Sequence, residues 1–304
     1  MAVPRSPGLG YRIGTDGLVV VRLEDGDLRI DGVDGDMVRI TDLDGGLDGL
    51  TIEAGERSVS IGSAQERGRD MALEVPTGAT VIVEARSSDV VTTRLTGETR
   101  LTTASGDISM SAAGGIVTID AVSGDVRIAA EDALELQART VSGDLEVRAA
   151  RVDRLGVITT SGDISVAALF DGAGPFAIET VSGDATIESD GPVLVDATTL
   201  TGDIHGPAAE RRGTAHAPRR GGPIAVGTAG GPTLAFRSTS GDLSLTVGRS
   251  GSSVDHPDVP VEIAPTDITD PSLDVLRALE RGEIDVAQAS ERLAAMDTDG
   301  ADDA

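Results

Sequence analysis

A chain of 304 residues with 51 acidic side chains against 25 basic ones carries a formal charge of −26, a balance that repels nucleic acid and anionic lipid surfaces. It has no Cys, which excludes a disulfide framework, thiolate catalysis and Cys-ligated metal sites. With no Trp, one Tyr and three Phe, an apolar share of 39% must come from Val, Ile, Leu and Ala, and such side chains suit thin, regular layers of strands better than a core built on large anchors.

The N-terminal arm, residues 1–14, lacks a continuous apolar h-region, and no later stretch approaches the ~18 apolar residues of a membrane span. The chain as written therefore reads as cytoplasmic. From Gly17 the pattern becomes strand-like. G-L-V-V-V-R-L is followed by Asp25-Gly26-Asp27, and Asp34-Gly35-Asp36 comes nine residues later. Val38, Ile40, Leu50, Ile52, Val59 and Ile61 keep a period-two alternation, and Leu73, Val75, Val81 and Val83 continue it past a turn at Pro76-Thr77-Gly78. This stretch is expected to start a repetitive domain covering residues 15–248.

The repeat itself then declares its period. Ser-Gly-Asp occurs at Ser105-Gly106-Asp107, Ser123-Gly124-Asp125, Ser142-Gly143-Asp144, Ser161-Gly162-Asp163, Ser182-Gly183-Asp184 and Ser240-Gly241-Asp242, with Thr201-Gly202-Asp203 between the last two. The intervals are 18, 19, 19, 21, 19 and 39 residues, the last about two periods, as if one corner had been lost. A degenerate copy, Ser87-Ser88-Asp89, lies 18 residues before the first. Alternating β-branched runs flank each triplet, and no helical periodicity separates the units, so a βαβ sheet is excluded. Short strands joined by fixed corners at a ~19-residue period predict an all-β fold, a β-helix-like solenoid whose coils stack as neighbouring strands.

In that fold the triplet is a corner. Glycine supplies a left-handed backbone angle, and the Ser and Asp side chains are expected to accept backbone N–H groups left over by the bend. Stacking would line up Asp107, Asp125, Asp144, Asp163, Asp184 and Asp203 in a ladder. A file of bound calcium along it is the sharper alternative. The spacing argues against calcium, because calcium-binding β-rolls use a Gly-Gly-x-Gly-x-Asp nonapeptide, whereas this period is twice as long with one Asp per corner. No EF-hand loop is present.

Between His205 and Gly231 the pattern lapses into Gly, Pro and Ala around Arg211, Arg212, Arg219 and Arg220, a basic cluster in an acidic chain. It reads as an exposed loop; an anionic-ligand site is the alternative. Residues 249–270 form a Ser/Pro/Asp linker. Residues 271–296 change to helical spacing, with Asp270-Pro271 as a start, Leu273, Leu276 and Leu279 on one face, a stop at Gly282, and a second helix carrying Leu293 after Ile284. An acidic tail, 297–304, ends the chain. So short an α-hairpin cannot bury its apolar face alone. Leu273, Leu276, Leu279, Ile284 and Leu293 are therefore the expected contacts for a protein partner or a second copy. His205, His216 and His256 lack metal-site spacing, and no nucleophile elbow, Walker A loop or dinucleotide fingerprint is present, so neither catalysis nor a cofactor is expected.

The strand–Ser-Gly-Asp–strand units resemble the bacterial putative-adhesin family of β-strand-repeat proteins, a domain of unknown function, over about residues 15–248. The closing L-R-A-L-E-R-G-E-I-D-V-A-Q-A-S-E-R-L is similar to SHOCT-type hairpins. The resemblance implies no catalytic residues, and it implies a binding role, adhesin-like or tied to envelope stress. The function expected is a non-catalytic scaffold for protein–protein interaction, with an ion- or ligand-binding sensor as the alternative.

Overall fold

A computed structural model describes residues 9–42, 50–63, 70–206, 224–226 and 231–248. The fold is all-β. The strands are β1 (Leu9–Arg12), β2 (Leu18–Asp25), β3 (Leu28–Val33), β4 (Met37–Asp42), β5 (Leu50–Ala54), β6 (Ser58–Ser63), β7 (Met71–Pro76), β8 (Thr80–Ser87), β9 (Val90–Thr93) and β10 (Thr99–Ser105). Three long strands follow, β11 (Ile108–Ser123), β12 (Val126–Ser142) and β13 (Leu145–Ser161). Then come β14 (Ile164–Phe170), β15 (Phe176–Ser182), β16 (Ala185–Ser189), β17 (Val193–Thr201), β18 (Ile204–His205), β19 (Ile224–Val226), β20 (Thr233–Ser240) and β21 (Leu243–Val247).

The strands pair in two parallel stacks that meet at the corners. Before the corner the order is β6, β2, β8, β10, β11, β12, β13, β15, β20, β17. After it the order is β7, β3, β9, β11, β12, β13, β14, β16, β21, β18. The long strands β11, β12 and β13 contribute to both stacks, bending through bulged registers midway. Because each register shift equals the repeat length, like residues lie over like. Val83, Leu101, Ile119, Ala138, Val157, Ile178, Phe236 and Ala197 form one such inward column, and all are buried. Aliphatic side chains fill most of this column, one thin layer per coil, and the large Phe236 stacks against the small Ala197.

Stacking order departs from chain order at both ends. The Ser240 coil, β20 with β21, lies between the Ser182 coil and the Thr201 coil. The 39-residue interval is therefore not a lost corner: the chain passes the slot, builds the next coil and returns to fill the gap. At the N-terminal end β2 and β3 are likewise inserted between β6/β7 and β8/β9. The expectation that 17–61 simply begins the repeat is corrected on the same ground. Within that span β4 and β5 run antiparallel to β7 and β6, and Asp34-Gly35-Asp36 is the reversal leading into β4, outside the corner stack. Antiparallel β1 covers β4, and antiparallel β19 covers β17. Among the described residues, three of the four stack ends, at β6, β7 and β17, thus finish in an antiparallel strand, which covers edge N–H and C=O groups that would otherwise invite further pairing.

Candidate functional site

At the corners the backbone sets the residue types. Gly106, Gly124, Gly143, Gly162, Gly183, Gly241 and Gly202 have φ of +116°, +118°, +122°, +122°, +124°, +145° and +149°. Gly106 lies over Ser88 of the degenerate corner, and each of the other six lies directly over the glycine of the adjacent coil. A Cβ on Gly143 would stand 2.7 Å from the carbonyl carbon of Gly124, and closer to its oxygen. Glycine is needed twice over, for the angle and for the approach.

The aspartates form a hydrogen-bonded ladder. Asp107, Asp125, Asp144, Asp163 and Asp184 each donate their backbone N–H to Oδ1 of the aspartate one coil below, at 2.8, 2.9, 3.1, 2.9 and 2.9 Å, the first of these acceptors being Asp89. The series continues in stacking order: Asp242 donates to Asp184 and Asp203 to Asp242, both at 2.8 Å. It also extends further toward the N-terminus than the triplet pattern indicates. The backbone N–H of Asp89 bonds the Asp27 carboxylate, and Asp27 donates to Asp70 Oδ1 at 2.9 Å. A donor at each step offsets the repulsion between carboxylates one coil apart. At Asp27 the offset is incomplete. Burial first, then the charges of Asp70 and Asp89, hold its pKa above the usual carboxylate range.

The serines act in the opposite sense to that expected. Their hydroxyls donate rather than accept: Ser105 to the Arg86 carbonyl at 3.4 Å, Ser123 to Ala104 at 3.2 Å, Ser161 to Val141 at 3.2 Å, and Thr201 to Thr239 at 3.0 Å. A further row escaped the sequence reading. Thr103, Thr140, Thr159, Thr180 and Thr199 are buried two residues before the triplet, and each hydroxyl donates to the carbonyl of its own corner Ser or Thr, at 2.8 to 3.4 Å. At these five of the seven corners the motif extends to Thr-x-Ser/Thr-Gly-Asp, with Ala121 and Ser238 in the threonine's place at the other two, and the threonine was visible at constant spacing. The degenerate corner differs: Ser88 is buried without positive φ, and its hydroxyl has no partner.

Beside the ladder runs an open groove of about 420 Å³, lined in part by Asp144, Glu146, Asp163, Asp184 and Arg127. Arg127 bonds Asp125 Oδ2 at 2.9 Å. Among the described residues no group of three or more His, Asp or Glu side chains is arranged to hold a metal ion. On the outward face, the variable position of the motif makes a second row. Val122, Val141, Val181 and Leu200 occupy it at four of the seven corners and are 50–68% exposed, with Ile158 also on this face; Ala104, Thr160 and Thr239 take the position at the other three.

A family model described as Toastrack DUF4097 matches residues 47–246. The chain belongs to the Toastrack DUF4097 family. In structure comparison the chain pairs with solved bacterial proteins, each at low identity. One is a putative adhesin from Bacteroides fragilis (11% identity, 79% of this chain, 96% of that chain, TM-score 0.44). Others are a putative cell adhesion protein from Clostridium sporogenes (9%, 80% and 99%, TM-score 0.24) and a putative adhesin from Parabacteroides merdae (9%, 80% and 96%, TM-score 0.27). No curated protein matches the chain. Among the described Toastrack residues no helix is long and apolar enough to cross a membrane. Leu273, Leu276, Leu279, Ile284 and Leu293, the Arg211–Arg220 cluster, and the SHOCT-like hairpin lie outside the described residues.

Proposed function

We propose that this chain is a non-catalytic β-solenoid scaffold that binds protein, through the outward row of its corner motif and through its C-terminal segment. The observation that carries this reading is the exposed aliphatic row Val122, Val141, Val181 and Leu200. A position that faces water has no packing reason to be Val or Leu, yet it is so at four of the seven corners; Val122 and Val141 adjoin in the stack, and Thr160 and Thr239 separate Val181 and Leu200 from them and from each other. The corner carboxylates support a scaffold rather than a reactive site, since each is engaged with the backbone of the adjacent coil. Leu273, Leu276, Leu279, Ile284 and Leu293 supply a second apolar set, read from sequence spacing.

The test pairs two variants of the full chain, Val122→Asp/Val141→Asp/Val181→Asp and Leu276→Asp/Leu279→Asp. Both are expected to keep β-rich circular dichroism. At least one is expected to lose self-association in sedimentation, or capture of a partner identified with the wild-type chain. Wild-type association by both variants, with folding intact, would overturn the proposal.

A further inference from the structure

The intercalated coil is a ready-made exchangeable part. Residues 233–247 fill a slot whose lower wall is β15/β16 and whose upper wall is β17/β18. The two walls are chain neighbours, separated by one ordinary repeat of 19 residues between Ser182 and Thr201. They also carry matching halves of the corner. Asp242 N–H bonds Asp184 Oδ1, and Asp203 N–H bonds Asp242 Oδ1, each at 2.8 Å. Take the inserted coil away, and the Asp203 N–H faces Asp184 with the same donor and acceptor that the insert used. Gly202 would likewise meet Gly183 as it now meets Gly241.

The slot is therefore satisfied when filled and self-satisfying when closed. Leaving it breaks two coil–coil interfaces and restores one, without stranding a backbone donor at the corner. What favours the filled state is packing: Phe236 is fully buried between Ile178 and Ala197, and Arg237 reaches Glu179 at 3.6 Å. Those contacts identify the insert by sequence, and any copy of this chain carries the same sequence. Twenty-seven residues, 206–232, separate β18 from the insert, with Ile224–Val226 among them pairing with β17, and a segment of that length has the contour to reach its own slot or a neighbour's.

We propose that the slot between residues 176–189 and 193–205 accepts the 233–247 coil of a second copy of this chain, giving dimers or chains by coil exchange. The occupant follows from the structure, because the segment seated there already is this chain's own.

The absence of Cys allows a direct test. Ser182 and Ser240 are register partners on adjacent strands, whereas Ser161 is one coil removed from the slot. Full-length S182C and S240C chains are mixed, warmed to their unfolding midpoint, cooled at high concentration and oxidised. A parallel mixture uses S161C with S240C, and the double variant S182C/S240C reports that the pair closes within one chain. Exchange predicts a covalent S182C–S240C dimer several-fold above the S161C mixture, growing with concentration. Equal yields in the two mixtures, with the double variant closing internally, would overturn the proposal.

Discussion

Replacing Gly143 by Ala tests the corner at its most constrained point. Two separable terms act on the new methyl. At φ +122° an L-residue is held in a sparsely populated region, which costs about 1–3 kcal/mol. The Cβ also drives into the backbone carbonyl of Gly124, a rigid group locked between two coils, and overpacking of that kind adds about 1–3 kcal/mol. The sum is on the order of 2–6 kcal/mol, a large part of the 5–15 kcal/mol that typically separates folded from unfolded chains. Gly35 isolates the first term. Its φ is +143°, but nothing lies within 4 Å of the Cβ position, so Gly35→Ala should show backbone strain alone. Urea unfolding followed by far-ultraviolet circular dichroism measures both, read as a shift of midpoint at constant slope. Equal losses at Gly35 and Gly143 would refute the glycine-on-glycine stack as a packing constraint.

Other consequences follow from single groups. Thr99 is fully buried in register between Val81 and Val117, with its hydroxyl unpartnered, so Thr99→Val should raise stability by about 1–3 kcal/mol in the same unfolding assay. Asp27 has a folded-state pKa raised by burial and by Asp70 and Asp89, so its ionised form destabilises the fold at neutral pH, and that penalty fades as pH falls through the folded value toward the unfolded one. Asp27→Asn keeps an acceptor oxygen, and it should raise the melting temperature at pH 7 by an amount that shrinks on acidification; a gain independent of pH would contradict this. Millimolar calcium should leave the melting temperature unchanged, whereas a true site at hundredfold excess over its Kd would add about 2.7 kcal/mol. A large shift abolished by Asp125→Asn and Asp144→Asn would make the ladder an ion site.

The corner was legible because its chemistry is local. A left-handed angle selects glycine wherever it occurs, and an acceptor for the adjacent coil selects aspartate, so both recur at the period of the stack. The Thr103, Thr140, Thr159, Thr180 and Thr199 row was equally legible, yet alternation alone reads it as ordinary strand. Coil order was not legible, and the reason is physical. Every coil offers the same corner donors and acceptors, so the motif says that coils stack without saying which neighbours they choose. Choice resides in what varies between coils. Arg22 meets Glu84 at 2.8 Å and Arg86 meets Glu24 at 3.5 Å, tying the Asp25 coil to the Ser87 coil across 62 residues of chain. Exposed pairs of this kind are worth about 0–1 kcal/mol each, enough to bias a choice between otherwise equal slots but too weak to leave a sequence signature. Asp70 entered the ladder unseen because no Ser-Gly precedes it.

Intercalation also changes how such a stack comes apart. In a solenoid laid down in chain order, the last coil has one neighbour and frays by losing one interface, so protection declines smoothly toward the chain end. Here the last described coil, residues 233–247, has neighbours on both sides, and the coil that ends the stack is held covalently from the chain before it. Unfolding that begins with release of the 233–247 coil must break two interfaces at once. Amide hydrogen exchange distinguishes the two cases. The N–H groups of Asp242 and Leu243, bonded to Asp184 Oδ1 and to the Asp203 carbonyl, should be protected as strongly as those of Asp144 and Leu145 in the middle of the stack. Protection at Asp242 far below that at Asp144 would mean that the insert frays as an ordinary end coil does, and the coil order would then give the C-terminal end no added resistance.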